Sequence, residues 1–148
     1  MTEERVTKAI LKWLLDGGWE IVCFDFPQSG TGRLLHPNES SEKNRNAINP
    51  DIVAVKNHVS VFFENKDRFY YPDYEKVNNL RINNDYSDAI SDLLSNYSIN
   101  TIFYGIGLPV NKHKKRSMDS AHLVDFILGV NEDGTICPLY LNDPNIFL

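Results

Sequence analysis

Cysteine is scarce in this chain: two in 148 residues, Cys23 and Cys137, each in an apolar, strand-like stretch with no CxxC or Cys/His spacing. That excludes a disulfide framework and a thiolate zinc site, and reads as two buried free thiols. Long hydrophobic runs are missing too. None approaches the roughly 18 residues that span a bilayer. The opening MTEERVTKAI is acidic and then amphipathic, the reverse of a basic region before an apolar one, so the expectation is a cytoplasmic chain with no membrane partner. His36, His58 and His122 are scattered, without ligand spacing, and the glycines of PQSGTGR (27–33) lack the Gly-Lys-Ser/Thr ending of a nucleotide-binding P-loop. Positive charge is in deficit, with 15 Lys and Arg against 20 Asp and Glu and a formal net charge of −5. A protein that coats nucleic acid non-specifically is thereby disfavoured, and any polyanion must meet a local basic face.

What remains is an ordinary globular composition, 42% hydrophobic and 24% charged, in a length that fits one domain over residues 1–148. Residues 3–16 place Val6, Ile10, Trp13 and Leu14 at helical spacing, with Thr2 as N-cap and Gly17-Gly18 as the stop. WEIVCFDF (19–26) reads as a strand, 27–49 as a long polar segment, and 51–56 and 59–66 as two further strands. A helix is expected over about 85–97, from the spacing of Tyr86, Ile90, Leu93, Leu94 and Tyr97, with a short one before it at 73–80. A buried strand (100–110), a basic loop (NKHKKRS) and two strands around the Asp133-Gly134 turn follow. The order is helix, three strands, helix, three strands, an α/β arrangement.

The stretch NPDIVAVKNHVSVFFENKDR (49–68) is where the charges are unusual. Both strands are apolar on both faces, and the acids cluster at one end, Asp51 at the start of the first and Glu64 near the end of the second. A two-residue turn at Asn57-His58 pairs Lys56 with Val59, Val53 with Phe62 and Asp51 with Glu64, and opposed residues have Cβ atoms about 4.5–5.5 Å apart. Alternation puts Lys66 on the face of Glu64 and turns Asn65 away. Two carboxylates at that spacing repel, so the pattern suits either a hard cation held by oxygen ligands, Mg²⁺ above all, or a rim ion pair between Lys66 and Glu64 with Asp51 as a turn residue.

Pro50-Asp51, a hairpin, then Glu64-Asn65-Lys66 resembles the PD-(D/E)xK signature of Mg²⁺-dependent nucleases. The element order over residues 3–68 is similar to that of archaeal-type Holliday junction resolvases and small type II restriction endonucleases. The resemblance implies a restriction-endonuclease-like fold, a central mixed sheet flanked by helices with an αβββαβ core plus a C-terminal hairpin. It implies a metal-dependent deoxyribonuclease using Mg²⁺, with Mn²⁺ as substitute, acting on DNA as a homodimer. Asp51, Glu64 and the backbone carbonyl of Asn65 would hold the metal, Lys66 would position the attacking water, and an acid of the first helix would join them. Of the two acids there, Glu3 falls in the middle of the apolar arc of Val6, Ile10 and Leu14, whereas Glu4 sits at its edge. For DNA contacts the candidates are Ser29 and Arg33 in the Ser/Gly loop, and Lys112, Lys114, Lys115 and Arg116 in the dense basic run, which also reads as a solvated loop. Tyr70 and Tyr71, just after Lys66, are read as packing residues, with stacking as the alternative. The alternative function is a non-catalytic nucleic-acid-binding or partner-binding subunit of a defence or repair system.

Overall fold

The computed structural model describes residues 1–26, 32–38 and 47–148. Six strands form one mixed sheet in the order β1 (Glu20–Phe24), β2 (Ile52–Lys56), β3 (Val59–Asn65), β4 (Thr101–Pro109), β5 (Phe126–Val130), β6 (Ile136–Leu141). The β1/β2, β2/β3 and β5/β6 pairs are antiparallel, and β3/β4 and β4/β5 are parallel. The β2/β3 hairpin has the expected register, with Val53 opposite Phe62 and Lys56 opposite Val59. Its turn needs a left-handed residue, and Asn57 supplies it at φ 54°, a conformation asparagine tolerates better than most residues do.

Alternation along the strands builds two apolar layers. One face presents Ile52, Ala54, Val61, Phe63, Phe126 and Leu128 to α1 (Glu3–Asp16), which buries Val6, Ile10 and Leu14 completely. Each such side chain contributes roughly 1.5–3 kcal/mol. Thr2 caps this helix through its hydroxyl, which accepts from the Arg5 amide at 3.2 Å. The other face presents Val53, Val55, Phe62, Tyr104, Ile106 and Leu108 to α2 (Tyr71–Ile82) and α3 (Ser87–Leu93).

The helices over 71–93 differ from the sequence reading. The major helix is α2, with Pro72 in its first turn, and α3 stops at Leu93 rather than running to 97. Proline fixes the start of α2 by its φ and lack of an N–H. Its buried residues are Asp73, Tyr74 and Val77, too mixed in polarity to show as an apolar stripe. The basic segment expected as a loop instead folds into a 3-10 turn (Val110–Lys112) and α4 (Lys115–Asp119). The strand expected before the Asp133-Gly134 turn runs over Phe126–Val130, after a 3-10 turn at Ala121–Leu123. Cys23 is buried, but Cys137 is only half-buried, and both are free.

Asp125, at the entry to β5, ties the α2 layer to the sheet. Its Oδ1 accepts from Arg81 Nη1 at 3.1 Å and Asn142 Nδ2 at 2.7 Å, and its Oδ2 accepts from the Tyr104 amide at 2.8 Å. Asp125→Ala leaves the buried Tyr104 amide without its acceptor and takes the carboxylate from Arg81, whose guanidinium keeps Asn78 Oδ1 and the His122 carbonyl, and is expected to cost about 2–3 kcal/mol in urea denaturation. A loss below about 1 kcal/mol would mean that the Tyr104 amide finds another acceptor and that Asn78 and His122 suffice for Arg81.

Candidate functional site

The site forms where the C-terminal ends of parallel β3 and β4 meet the start of β2. The backbone bends at Asp51, whose N–H donates to Phe63 O of β3 at 2.9 Å while its C=O accepts from the Asp25 N–H, beyond β1, at 2.8 Å. The Asn65 amide therefore donates to the Asp51 carboxylate, Oδ2, at 2.6 Å. The side chain completes the ladder in place of a carbonyl, which fixes Asp51 at the strand mouth.

Glu64 and Lys66 share the face covered by α2, and Asn65 points to the α1 layer, where its Nδ2 donates to Thr7 Oγ1 at 3.1 Å. Gly107, opposite Asn65 on β4, leaves room for that side chain. A Cβ there would run into Asn65 and Ile10.

Lys66 is the hub. Its Nζ lies 3.5 Å from Glu64 Oε1, 3.6 Å from Asp73 Oδ1 and 3.8 Å from Glu3 Oε1. Three elements thus converge on one ammonium: β3 with Glu64, the first turn of α2 with Asp73, and the first turn of α1 with Glu3. Glu4 turns outward and pairs with Lys8 at 3.7 Å. Lys76, one turn along α2 from Asp73, donates to Glu64 Oε1 at 3.2 Å.

Electrostatics at this point are strained by burial. Glu64 and Asp73 are each only 8% exposed. A small pocket of about 30 Å³ below Glu64 is walled by Pro50, Phe62, Val77 and Tyr104, leaving little room for water. Burial, followed by the charge of Glu64, pushes the Asp51 carboxyl up to about 8, against the lowering influence of the Asn65 amide, Lys66 and Lys76. Burial also raises Asp73 above the usual carboxylate range, Lys66 opposing it. For Lys66 desolvation is the largest single influence and disfavours the ammonium, but Glu64, Asp73, Glu3 and Asp51 together outweigh it and raise its pKa. The lysine therefore stays charged at neutral pH.

Asp73 and Lys76 were not singled out from sequence. The legible signal was the short connection from Lys66 to Pro72, which obliges the first turn of α2 to sit beside Lys66. Asp73 Oδ2 is buried and carries no hydrogen bond. A cleft of about 710 Å³ opens alongside Lys76 and runs past Asn79 and Asn83 to Asn38, which is bound to the α2–α3 connection through Asn84 O and Ser87 Oγ.

The basic run reaches the same rim. It follows β4, whose Gly107 O accepts from the Lys66 amide at 2.9 Å, and the Arg116 guanidinium lies 5.3 Å from the centroid of the Phe69 ring. Lys112, Lys114, Lys115 and Arg116 are exposed. Arg33 is also exposed, but its charge acts on the Cys23 thiol, at the β1 edge of the sheet and three strands from β4. Ser29 lies outside the described residues. Tyr70 and Tyr71 are 58% and 41% exposed, so the expectation that they pack is not met.

As a donor set, the Asp51 and Glu64 carboxylates fit a small hard cation. They are oxygen ligands, Glu64 buried and Asp51 half-buried, and burial together with the Glu64 charge pushes the Asp51 carboxyl up to about 8. Among the described residues, no three His, Cys, Asp or Glu side chains already stand in a metal-ligating arrangement. No helix among them is long and apolar enough to cross a membrane. Comparison with protein-family models, curated proteins and solved structures finds no match for the chain.

Proposed function

We propose that this protein is a Mg²⁺-dependent DNA endonuclease of restriction-endonuclease-like fold, hydrolysing phosphodiester bonds at the Asp51–Glu64–Lys66 rim. One observation carries the reading: the half-buried Asp51 carboxyl, just before β2, and the buried Glu64 carboxylate of β3 meet beside the Lys66 ammonium, with burial and the Glu64 charge raising Asp51 to about 8. Such a pair is short of one cation. Arg116 lies against Phe69 close to this rim, and Lys112, Lys114 and Lys115 of the same run are exposed and available to a polyanion.

Asp51, Glu64 and the Asn65 carbonyl would hold Mg²⁺ or Mn²⁺, which when bound supplies Lewis-acid polarisation of the phosphate and lowers the pKa of water. Lys66 acts as a donor, since its raised pKa keeps it protonated and bars it from service as the base. It orients the attacking water and binds a non-bridging phosphate oxygen as charge develops. The water oxygen bonds to phosphorus while the P–O bond to the leaving sugar oxygen breaks, and that oxygen takes a proton from solvent. Glu3, with its side chain 38% exposed and 3.8 Å from Lys66 Nζ, is placed to pass the water's proton to solvent. Asp73 fixes the ammonium from the α2 side. Cutting both strands of a duplex calls for two such sites, hence a homodimer.

A second reading, a non-catalytic DNA- or partner-binding subunit, is favoured by a specific observation. Lys66 and Lys76 already neutralise Glu64, as they would in an inert ion-pair cluster. One assay separates the two: incubation with linear, supercoiled, single-stranded and four-way-junction DNA in Mg²⁺, Mn²⁺, Ca²⁺ or EDTA. The nuclease reading expects hydrolysis in Mg²⁺ or Mn²⁺, binding with little cleavage in Ca²⁺ and no cleavage in EDTA. Undiminished cleavage in EDTA removes the metal, and DNA binding without any cleavage favours the subunit.

A further inference from the structure

Beside the proposed catalytic rim the chain exposes aromatic surface that the hydrolytic chemistry does not use. Tyr70 and Tyr71 are 58% and 41% exposed although Asp73 and Tyr74, just after them, are buried. Their neighbour Phe69 packs inward on Tyr74 with ring centroids 5.1 Å apart, and Asp73 of the same turn reaches Lys66. Phe69 also carries the Arg116 guanidinium, so the start of α4 is held against the residue next to Tyr70. Within residues 66–76 the charges balance, Lys66, Arg68 and Lys76 against Asp67, Asp73 and Glu75. The positive field here therefore comes from Lys112, Lys114, Lys115 and Arg116, with Asp119 the one acid in 110–119.

Two exposed phenol rings at a helix start, with Arg116 against the adjoining Phe69 and three exposed lysines in the same run as Arg116, form a surface of mixed stacking and phosphate-binding character in a chain of net charge −5. A duplex hides its base faces and offers such rings nothing beyond its phosphates. An unpaired strand offers both, and each base stacked on an aromatic ring contributes about 1–3 kcal/mol regardless of sequence. Solvation of two isolated tyrosines would need no cations beside them, and a purely electrostatic DNA track would need no tyrosines.

We infer that Tyr70 and Tyr71, with Lys114, Lys115 and Arg116, form a stacking platform for unpaired bases of a DNA strand, giving the site a preference for DNA with single-stranded character beside the scissile phosphate. This rests on the nuclease reading and narrows its substrate. Arg116 serves twice, holding Phe69 and meeting phosphate, and Lys114 and Lys115 contribute charge alone.

The test measures binding in Ca²⁺ by fluorescence anisotropy with three probes: a thymidine oligonucleotide, an abasic strand of equal length with the same phosphates, and a duplex. The wild type should bind the thymidine strand about 10- to 100-fold more tightly than the abasic strand. The double substitution Tyr70→Ala, Tyr71→Ala should erase that difference and leave abasic and duplex binding unchanged, whereas Tyr70→Phe, Tyr71→Phe should retain it. Lys114→Ala, Lys115→Ala, Arg116→Ala should weaken all three probes together and flatten the salt dependence by about 2–3 in slope. Thermal melts confirm that each variant is folded. Equal binding of thymidine and abasic strands by the wild type, or a double alanine variant that keeps the preference, overturns the platform alone if duplex is still bound and cut. Failure to bind any of the three probes overturns the platform and the nuclease reading together.

Discussion

Asp51→Asn, Glu64→Gln and Lys66→Ala are each expected to lower the Mg²⁺-dependent cleavage rate by roughly 10³-fold or more, the scale of removing a preorganised electrostatic group. The two amides keep the volume of the side chains they replace but not the charge a divalent cation needs. Asn at position 51 retains an acceptor for the Asn65 amide, now 2.6 Å from Oδ2, so the strand mouth should survive. Lys66→Ala removes the shared cation of Glu64, Asp73 and Glu3 and will cost stability as well as rate. Its activity should therefore be read at a temperature where the variant is folded. Asp73→Asn is expected to act through Lys66 and lower the rate by about 10-fold, less than any ligand change. The measurement is single-turnover cleavage with saturating enzyme, and an Asp51→Asn variant cutting at the wild-type rate would end the metal assignment.

A comparable effect should appear without any substrate. In EDTA, stability should fall as pH rises from about 5 to about 8, at up to about 1.4 kcal/mol per pH unit from Asp51 alone. The folded protein keeps the Asp51 proton to about pH 8, whereas an unfolded carboxyl releases it near its ordinary value of 3.8. Between those values the native state binds more protons. The stabilisation is complete below the unfolded value and is lost as pH rises through the folded one. Asp73 is shifted in the same direction and adds to the slope. Lys66, raised above 10.5, stays protonated in both states over this window and contributes no slope there. In Asp51→Asn the dependence should be much flatter, crossing the wild-type curve so that the variant is the more stable protein near the alkaline end. Mg²⁺ should restore the wild type there and release about one proton per ion bound, because the cation and the Asp51 proton compete. Urea midpoints across that pH range for both proteins decide it, and parallel curves would mean that water reaches Asp51 and relieves the repulsion.

The parts of this protein legible in its residues are those set by local periodicity. The 3.6-residue spacing of Val6, Ile10 and Leu14 with Thr2 before them specifies α1. The apolar runs on either side of Asn57-His58 specify the β2/β3 register, because a one-residue slip would turn every side chain to the other face. From that register alone Asp51 comes opposite Glu64, and Lys66 onto the face of Glu64. Tertiary structure decided everything that depends on contacts distant in sequence. The parallel β3/β4 pairing carries the run at 112–116 to the rim of Lys66, and a crossover connection leaves no periodic trace of which strand it joins. Docking of α2 supplies Asp73 and Lys76 to the cluster, and its mixed buried face hid both its length and its orientation from the pattern. The exposure of Tyr70 and Tyr71 is likewise a tertiary result, since an aromatic pair at a helix start packs or protrudes according to what the rest of the fold places above it.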